Sequence, residues 1–151
     1  MSSNGVFPRM PKVLAPLAPE ANELQWSIVD LGDVIADETT DLDVLATERR
    51  VVDSPTGRRL SFAELSDFAA CTIQVIGGLF VACTTGAQLP DRSDEDLAIL
   101  TSADFVVAAF DSMFWLVGAS DEVLARVERT FRDVTEEDPA STPLRAWGPT
   151  P

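Results

Sequence analysis

The chain has 151 residues, 46% of them apolar, which is enough for one domain with a buried core. Its 25 acidic residues stand against 11 basic ones, and the net charge of -14 repels phosphate backbones and anionic lipid while attracting cations or basic protein surfaces. Histidine and tyrosine are absent and the single lysine, Lys12, lies among prolines, so histidine triads, Cys-His pairs, histidine zinc sites and lysine chemistry are all disfavoured. Gly77-Gly78, Asp111 and Gly118 cut every apolar run well short of the roughly 18 to 20 residues that a membrane span needs. The first twenty residues are broken by four prolines and lack the apolar core of a signal peptide, which points to the cytoplasm.

Eight of the ten prolines fall in residues 1–22 and 135–151, so a proline-rich N-terminal arm and C-terminal tail are expected to flank a single domain over residues 23–134. Prolines at this spacing predict extended arms. Met10, Leu14, Leu17, Leu144 and Trp147 are apolar groups that would pack onto the fold or a partner. Residues 23–36 open with Leu24, Trp26 and Ile28 at period two, a strand with one buried face. Val44-Leu45 and Val51-Val52 predict short strands, with turn chemistry in Ser54-Pro55-Thr56-Gly57.

Leu60-Ser61-Phe62-Ala63-Glu64-Leu65 spells a helix start in which Ser61 and Glu64 cap reciprocally and Leu60 staples onto Leu65. Phe62, Leu65, Phe68, Ala69, Thr72, Ile73 and Ile76 continue one apolar face, and Gly77-Gly78 predicts the helix end. A strand should follow over 79–85. Ser93 to Asp96 resembles the N-terminus of a short helix, with acids placed to favour its dipole. FVVAAF and MFWLVGA then read as a hairpin cornered at Asp111-Ser112, and Ser120 caps a last helix carrying Glu122–Arg126 and Glu128–Arg132 pairs. The order of elements indicates an α+β fold, a two-layer sandwich of a mainly antiparallel sheet with two main helices on one face.

Asp111-Ser112 has no base to activate it, and both residues are ordinary turn formers. Cys71 and Cys83 sit in apolar sequence without metal-ligand spacing and read as reduced core thiols. No glycine-rich phosphate cradle or calcium-loop ladder occurs, so neither cofactor nor metal is expected. The acids remain. Asp33, Asp37, Glu38, Asp41 and Asp43 lie in a stretch without a basic residue, and Asp94, Glu95 and Asp96 form a second cluster; together they are the expected partner-binding residues.

Residues 60 to 133, with LSFAELSDFAACTIQVIGGLFVAC followed by FDSMFWLVGASDEVLARVERTF, resemble small acidic bacterial immunity proteins of polymorphic toxin systems. That resemblance implies an inhibitor that masks the basic active site of a toxin domain. A non-enzymatic, acidic protein-binding module with a basic partner protein is therefore expected, binding neither nucleic acid nor membrane. The alternatives are a DNA mimic, which would need carboxylates spaced like phosphates along one face, and a phage or assembly subunit that uses its proline-rich arms for subunit contacts.

Overall fold

In the structure, a computed structural model, residues 8–111 and 113–145 are described. The chain opens with a one-turn helix, α1 (Met10–Leu14), and two 3-10 turns, Ala15–Leu17 and Glu20–Glu23. The N-terminal segment is thus coiled and packed rather than extended. Proline is tolerated in the first turn of a helix, where its missing N–H has no partner to lose, so one-turn pieces separated by prolines satisfy the sequence. Met10, Val13, Leu14 and Leu17 are all buried in the main core.

β1 (Leu24–Leu31) and β2 (Val34–Ala36) follow, then α2 (Val44–Val52), where short strands were expected. Asp43 caps α2 by accepting the Ala46 amide at 3.0 Å, and Leu45, Ala46, Glu48, Arg49 and Arg50 are good helix formers. The flanking valine pairs have β propensity, but Thr47 and Val51, four apart, form the buried stripe. β3 (Arg58–Ser61) leads into α3 (Phe62–Ala70), whose predicted capping box is present: Glu64 N–H donates to Ser61 Oγ at 3.1 Å and Ser61 N–H to Glu64 Oε1 at 3.0 Å.

α3 ends at Ala70, seven residues before the predicted stop. Thr72, Ile73, Val75 and Ile76 are β-branched, and the segment becomes β4 (Thr72–Val75), paired with β2. Gly77-Gly78 opens β5 (Gly77–Thr84) instead of ending a helix; a Cβ on Gly78 would stand 2.9 Å from the Phe80 ring. The remaining elements are α4 (Asp96–Ser102), β6 (Phe105–Phe110), β7 (Phe114–Gly118) and α5 (Asp121–Thr130), as the sequence predicted. Ser120 Oγ accepts the Val123 amide. Asp111, at φ 46, forms the corner between β6 and β7 that was expected; Ser112 lies outside the described residues.

The main sheet runs β3-β1-β5-β6-β7 with every neighbouring pair antiparallel, so the α+β class holds. β3 and β5 flank β1, and α3 carries the chain between them as a split crossover. Trp26, Ile28, Phe80, Ala82, Phe105 and Val107 bury one face against α1, α3 and α5. Trp26 is enclosed between Phe62 and Phe105, with ring centroids at 5.8 and 5.9 Å, and donates its indole N–H to Ala21 O at 3.1 Å. The alternating residues Val29, Leu79, Val81, Val106 and Ala108 bury the opposite face against Ile99 of α4 and Leu144 of the tail. This second covering explains why β5 and β6 read as unbroken apolar runs.

Gly57 closes the turn into β3 at φ 76, in the left-handed region, with its Cα pressed onto β1: a Cβ there would meet the Ile28 carbonyl oxygen at 2.1 Å. No helix among the described residues is long and apolar enough to cross a membrane.

Candidate binding surface

The first predicted acids occupy the turn between β2 and α2. Asp37 Oδ1 accepts the Thr39 amide at 2.9 Å and its hydroxyl at 2.7 Å, and these hydrogen bonds hold its carboxyl below the usual aspartate range. Asp43 caps α2. Glu38 and Asp41 are exposed and make no such bond, while Asp33, also exposed, contributes its backbone carbonyl to the Ile76 amide at 2.8 Å.

The second cluster is largely committed to the fold. Asp94 Oδ2 accepts the Asp91 amide at 3.0 Å, and Asp91 in turn bonds Ser93, which lowers the Asp91 carboxyl. Asp96 clasps the tail: its Oδ1 pairs with Arg145 Nη2 at 2.7 Å and its Oδ2 accepts the Leu144 amide at 2.9 Å. Glu95 is exposed at the N-cap position of α4 without a capping bond.

Asp43 caps the N-terminal end of α2, while Asp91 stands beside the turn that follows its C-terminal end. Arg92 N–H donates to Pro55 O at 2.7 Å and brings residues 91–93 against the turn after α2, where Asp53 and Asp91 line a depression of about 350 Å³. Sequence alone could not order these pieces.

The electrostatics depend as much on where the cations go. None of the 25 acidic side chains is buried, whereas Arg92 and Arg145 are, each 7% exposed. Arg92 Nε donates to Val29 O at 2.9 Å; Arg145 donates to Arg92 O and Asp94 O, both at 2.8 Å, as well as to Asp96. Arg126, predicted to pair with Glu122 on the helix surface, donates to Glu20 at 2.6 Å and to Pro16 O at 3.1 Å; the Glu20 hydrogen bond lowers the Glu20 carboxyl and raises the Arg126 guanidinium, and attraction to Glu122 adds to the latter. Arg132 falls beyond the end of α5, so the predicted Glu128–Arg132 helical pair does not form. Arg9 donates to Thr72 O at 2.6 Å and Arg59 to Gln25 at 2.9 Å. Arginine forks can serve several acceptors at once, and burying Arg92 and Arg145 leaves the outer surface more acidic than the composition implies, while the other eight arginines are half-buried or exposed.

Sequence reasoning missed a second feature. Past α5 the chain crosses from Phe131, packed on the Trp26 side of the sheet, to Leu144, buried on the opposite side. Residues 132–143 make this crossing as a strap, and with β7, the last strand of the sheet, the N-terminal segment, α4 and α5 they border an open hollow of about 2220 Å³. Met113 and Phe114 are 76% and 49% exposed at its mouth. The uncharged run FWLVG was visible in the sequence, but its place at the sheet margin was not.

Cys71 and Cys83 are both free thiols, and burial raises the Cys83 thiol above its usual range. Among the described residues, no group of three His, Cys, Asp or Glu side chains could hold a metal ion. No protein-family model, curated protein or solved structure matches this chain.

Proposed function

We propose that the protein is an acidic protein-binding module, an inhibitor of the immunity type that acts in the cytoplasm by masking a basic surface of a partner protein. The observation that carries this reading is the placement of charge: every carboxylate lies at or near the surface, while two of the ten arginines, Arg92 and Arg145, are buried onto backbone carbonyls. Such a surface accelerates encounter with a cationic cleft and disfavours nucleic acid. Against an assembly role, Met10, Val13, Leu14 and Leu17 are buried in the chain's own core, so that segment has few apolar groups to offer a neighbour.

Partner capture from the source organism, followed by reconstitution with the purified partner, tests the proposal. A basic protein should bind in a one-to-one complex whose association slows steeply between about 0.1 and 1 M salt, as the screening length contracts from ~10 to ~3 Å. Glu38→Lys with Asp41→Lys, both at exposed positions without fold-supporting bonds, should slow association further without loss of stability. A partner of acidic character, or an association rate indifferent to salt and to both substitutions, would reject the reading.

A further inference from the structure

We propose that the outward face of α2 is a contact between two copies of this chain, whose α2 helices lie side by side and antiparallel. Thr47 and Val51 are the buried residues of α2. Its opposite face carries Leu45, Glu48, Arg49 and Val52, which the three-, four- and seven-residue spacings of a helix bring together. Leu45 is 66% and Val52 59% exposed, and among the described residues no other helix turns two large apolar side chains to solvent. Glu48 and Arg49 lie between them, the first half-buried and the second exposed. Among the described residues, neither charge is engaged in an ion pair or a side-chain hydrogen bond.

The order of these four residues selects the occupant. In a contact built on a two-fold axis, each side chain that meets a given position on the second copy is met there in return. With the axis beside the Glu48-Arg49 step, Glu48 stands against Arg49 of the second copy and Arg49 against its Glu48. Leu45 then meets Val52 of the second copy on one side of the axis, and Val52 meets its Leu45 on the other. The face is complementary to itself in charge and in apolar contact. A parallel pair would set glutamate on glutamate and arginine on arginine, which costs affinity. A basic surface would be opposed by Arg49 at the centre of this face and an acidic one by Glu48, whereas a second copy satisfies both.

Length and net charge limit the strength of the contact. The nine residues of α2 span about 14 Å at ~1.5 Å per residue. The area covered is then below the ~1,000 Å² of a stable interface, and the dimer is a weak, rapidly exchanging one. Each copy carries a net charge of -14, and exposed Asp53 of one copy approaches the helix-capping Asp43 of the other at both ends of the contact. Salt screens this long-range repulsion more than it screens pairs in direct contact. Self-association therefore strengthens as salt rises, the opposite of association with a basic partner, and it does not depend on the basic-partner reading.

Sedimentation equilibrium of the full-length protein tests this. A monomer–dimer equilibrium with a dissociation constant on the order of 0.1 mM should appear, and it should tighten between about 0.1 and 0.5 M salt. Leu45→Glu should abolish it. Glu48→Arg and Arg49→Glu should each weaken self-association about tenfold, because each sets like charges against one another across the axis. Mixed in equal amounts, these two variants should associate with each other about as tightly as wild type, a rescue that damage to the fold of either could not produce. A chain that stays monomeric to about 1 mM at both salt concentrations, a dimer indifferent to Leu45→Glu, or mixed variants that remain apart would overturn the proposal while leaving the basic-partner reading standing. Hydroxyl-radical labelling of residues 45–52 separates the other occupants. Protection seen only with a basic partner would assign the face to that partner, and protection of the dilute monomer that is lost on deleting residues 1–7 or 146–151 would assign it to the chain's own ends. Either result overturns the proposal.

Discussion

Replacing Arg145 by alanine tests the clasp that ties the strap to the far face of the sheet. The guanidinium is 4% exposed and its partner carboxylate on Asp96 is 17% exposed. Arg145 donates to Asp96 Oδ1 through Nε at 3.1 Å and Nη2 at 2.7 Å, and to the Arg92 and Asp94 carbonyls at 2.8 Å. Alanine removes all four bonds and leaves Asp96 with the Leu144 amide as its remaining tie to the tail. Breaking a fully buried pair costs about 3–5 kcal/mol. Partial access of water to Asp96 places Arg145→Ala nearer the lower limit, about 3 kcal/mol, and Arg145→Lys at about half that, because a point charge cannot serve spread acceptors at once. Detachment of the tail limits the loss by exposing Leu144 instead, which itself costs about 1.5–3 kcal/mol of burial. Urea unfolding reads the stability, and limited proteolysis within residues 132–143 reads detachment. A double-mutant cycle with Asp96→Ala should return a coupling of at least about 1 kcal/mol, inside the range of roughly 0.5–3 kcal/mol for contacting residues. If both arginine variants unfold within about 0.5 kcal/mol of wild type, the level of an ordinary surface substitution, and the strap is cut no faster, the clasp does not hold the tail.

Three further outcomes are expected. Gly57→Ala should destabilise by about 3 kcal/mol or more, since the new Cβ collides with the Ile28 carbonyl as well as adopting positive φ. Gly86→Ala, at φ 94 with nothing within 4 Å, should cost only about 1 kcal/mol, and equal midpoints in urea for the two would remove the collision from the explanation. A thiol reagent should modify half-buried Cys71 rapidly and Cys83 only on unfolding, because Cys83 is 2% exposed and its thiol is raised; two equal fast phases in native protein would contradict this. The Arg126 hydrogen bond lowers the folded Glu20 carboxyl, so its stabilisation is present above the ordinary glutamate range and disappears as pH falls through the folded value. Glu20→Gln should flatten the stability–pH profile on that acid limb, and an unchanged slope would separate Glu20 from acid unfolding.

Capping chemistry was the most legible part of this chain. Ser61 with Glu64, and Ser120, act within three residues of themselves, so their hydrogen bonds are available to any reader of the sequence. The hairpin corner at Asp111 was legible for the same reason. Where two local preferences compete, sequence misled. The apolar period of Phe62, Leu65, Phe68 and Ala69 runs on through Thr72 and Ile73, but the chain leaves the helix there because β2 offers a strand partner to a β-branched run. Val44-Leu45 and Val51-Val52 suggested strands until Asp43 and the residues between them made a capped helix. Of the candidate acids, Glu38 and Asp41 remain uncommitted on the surface, whereas Asp96 is engaged by Arg145, a partner 49 positions away that no local pattern announces.

Composition and local pattern by themselves determined an acidic α+β domain without histidine chemistry, together with its caps and its hairpin. These follow from net charge and from interactions a few residues long. Tertiary structure alone decided that the sheet is covered on both faces, that Arg92 and Arg145 turn inward, and that β7 is the last strand in the order of the sheet. Each of these depends on which distant segments lie side by side, and the free energy of such contacts belongs to pairs of segments rather than to either sequence alone.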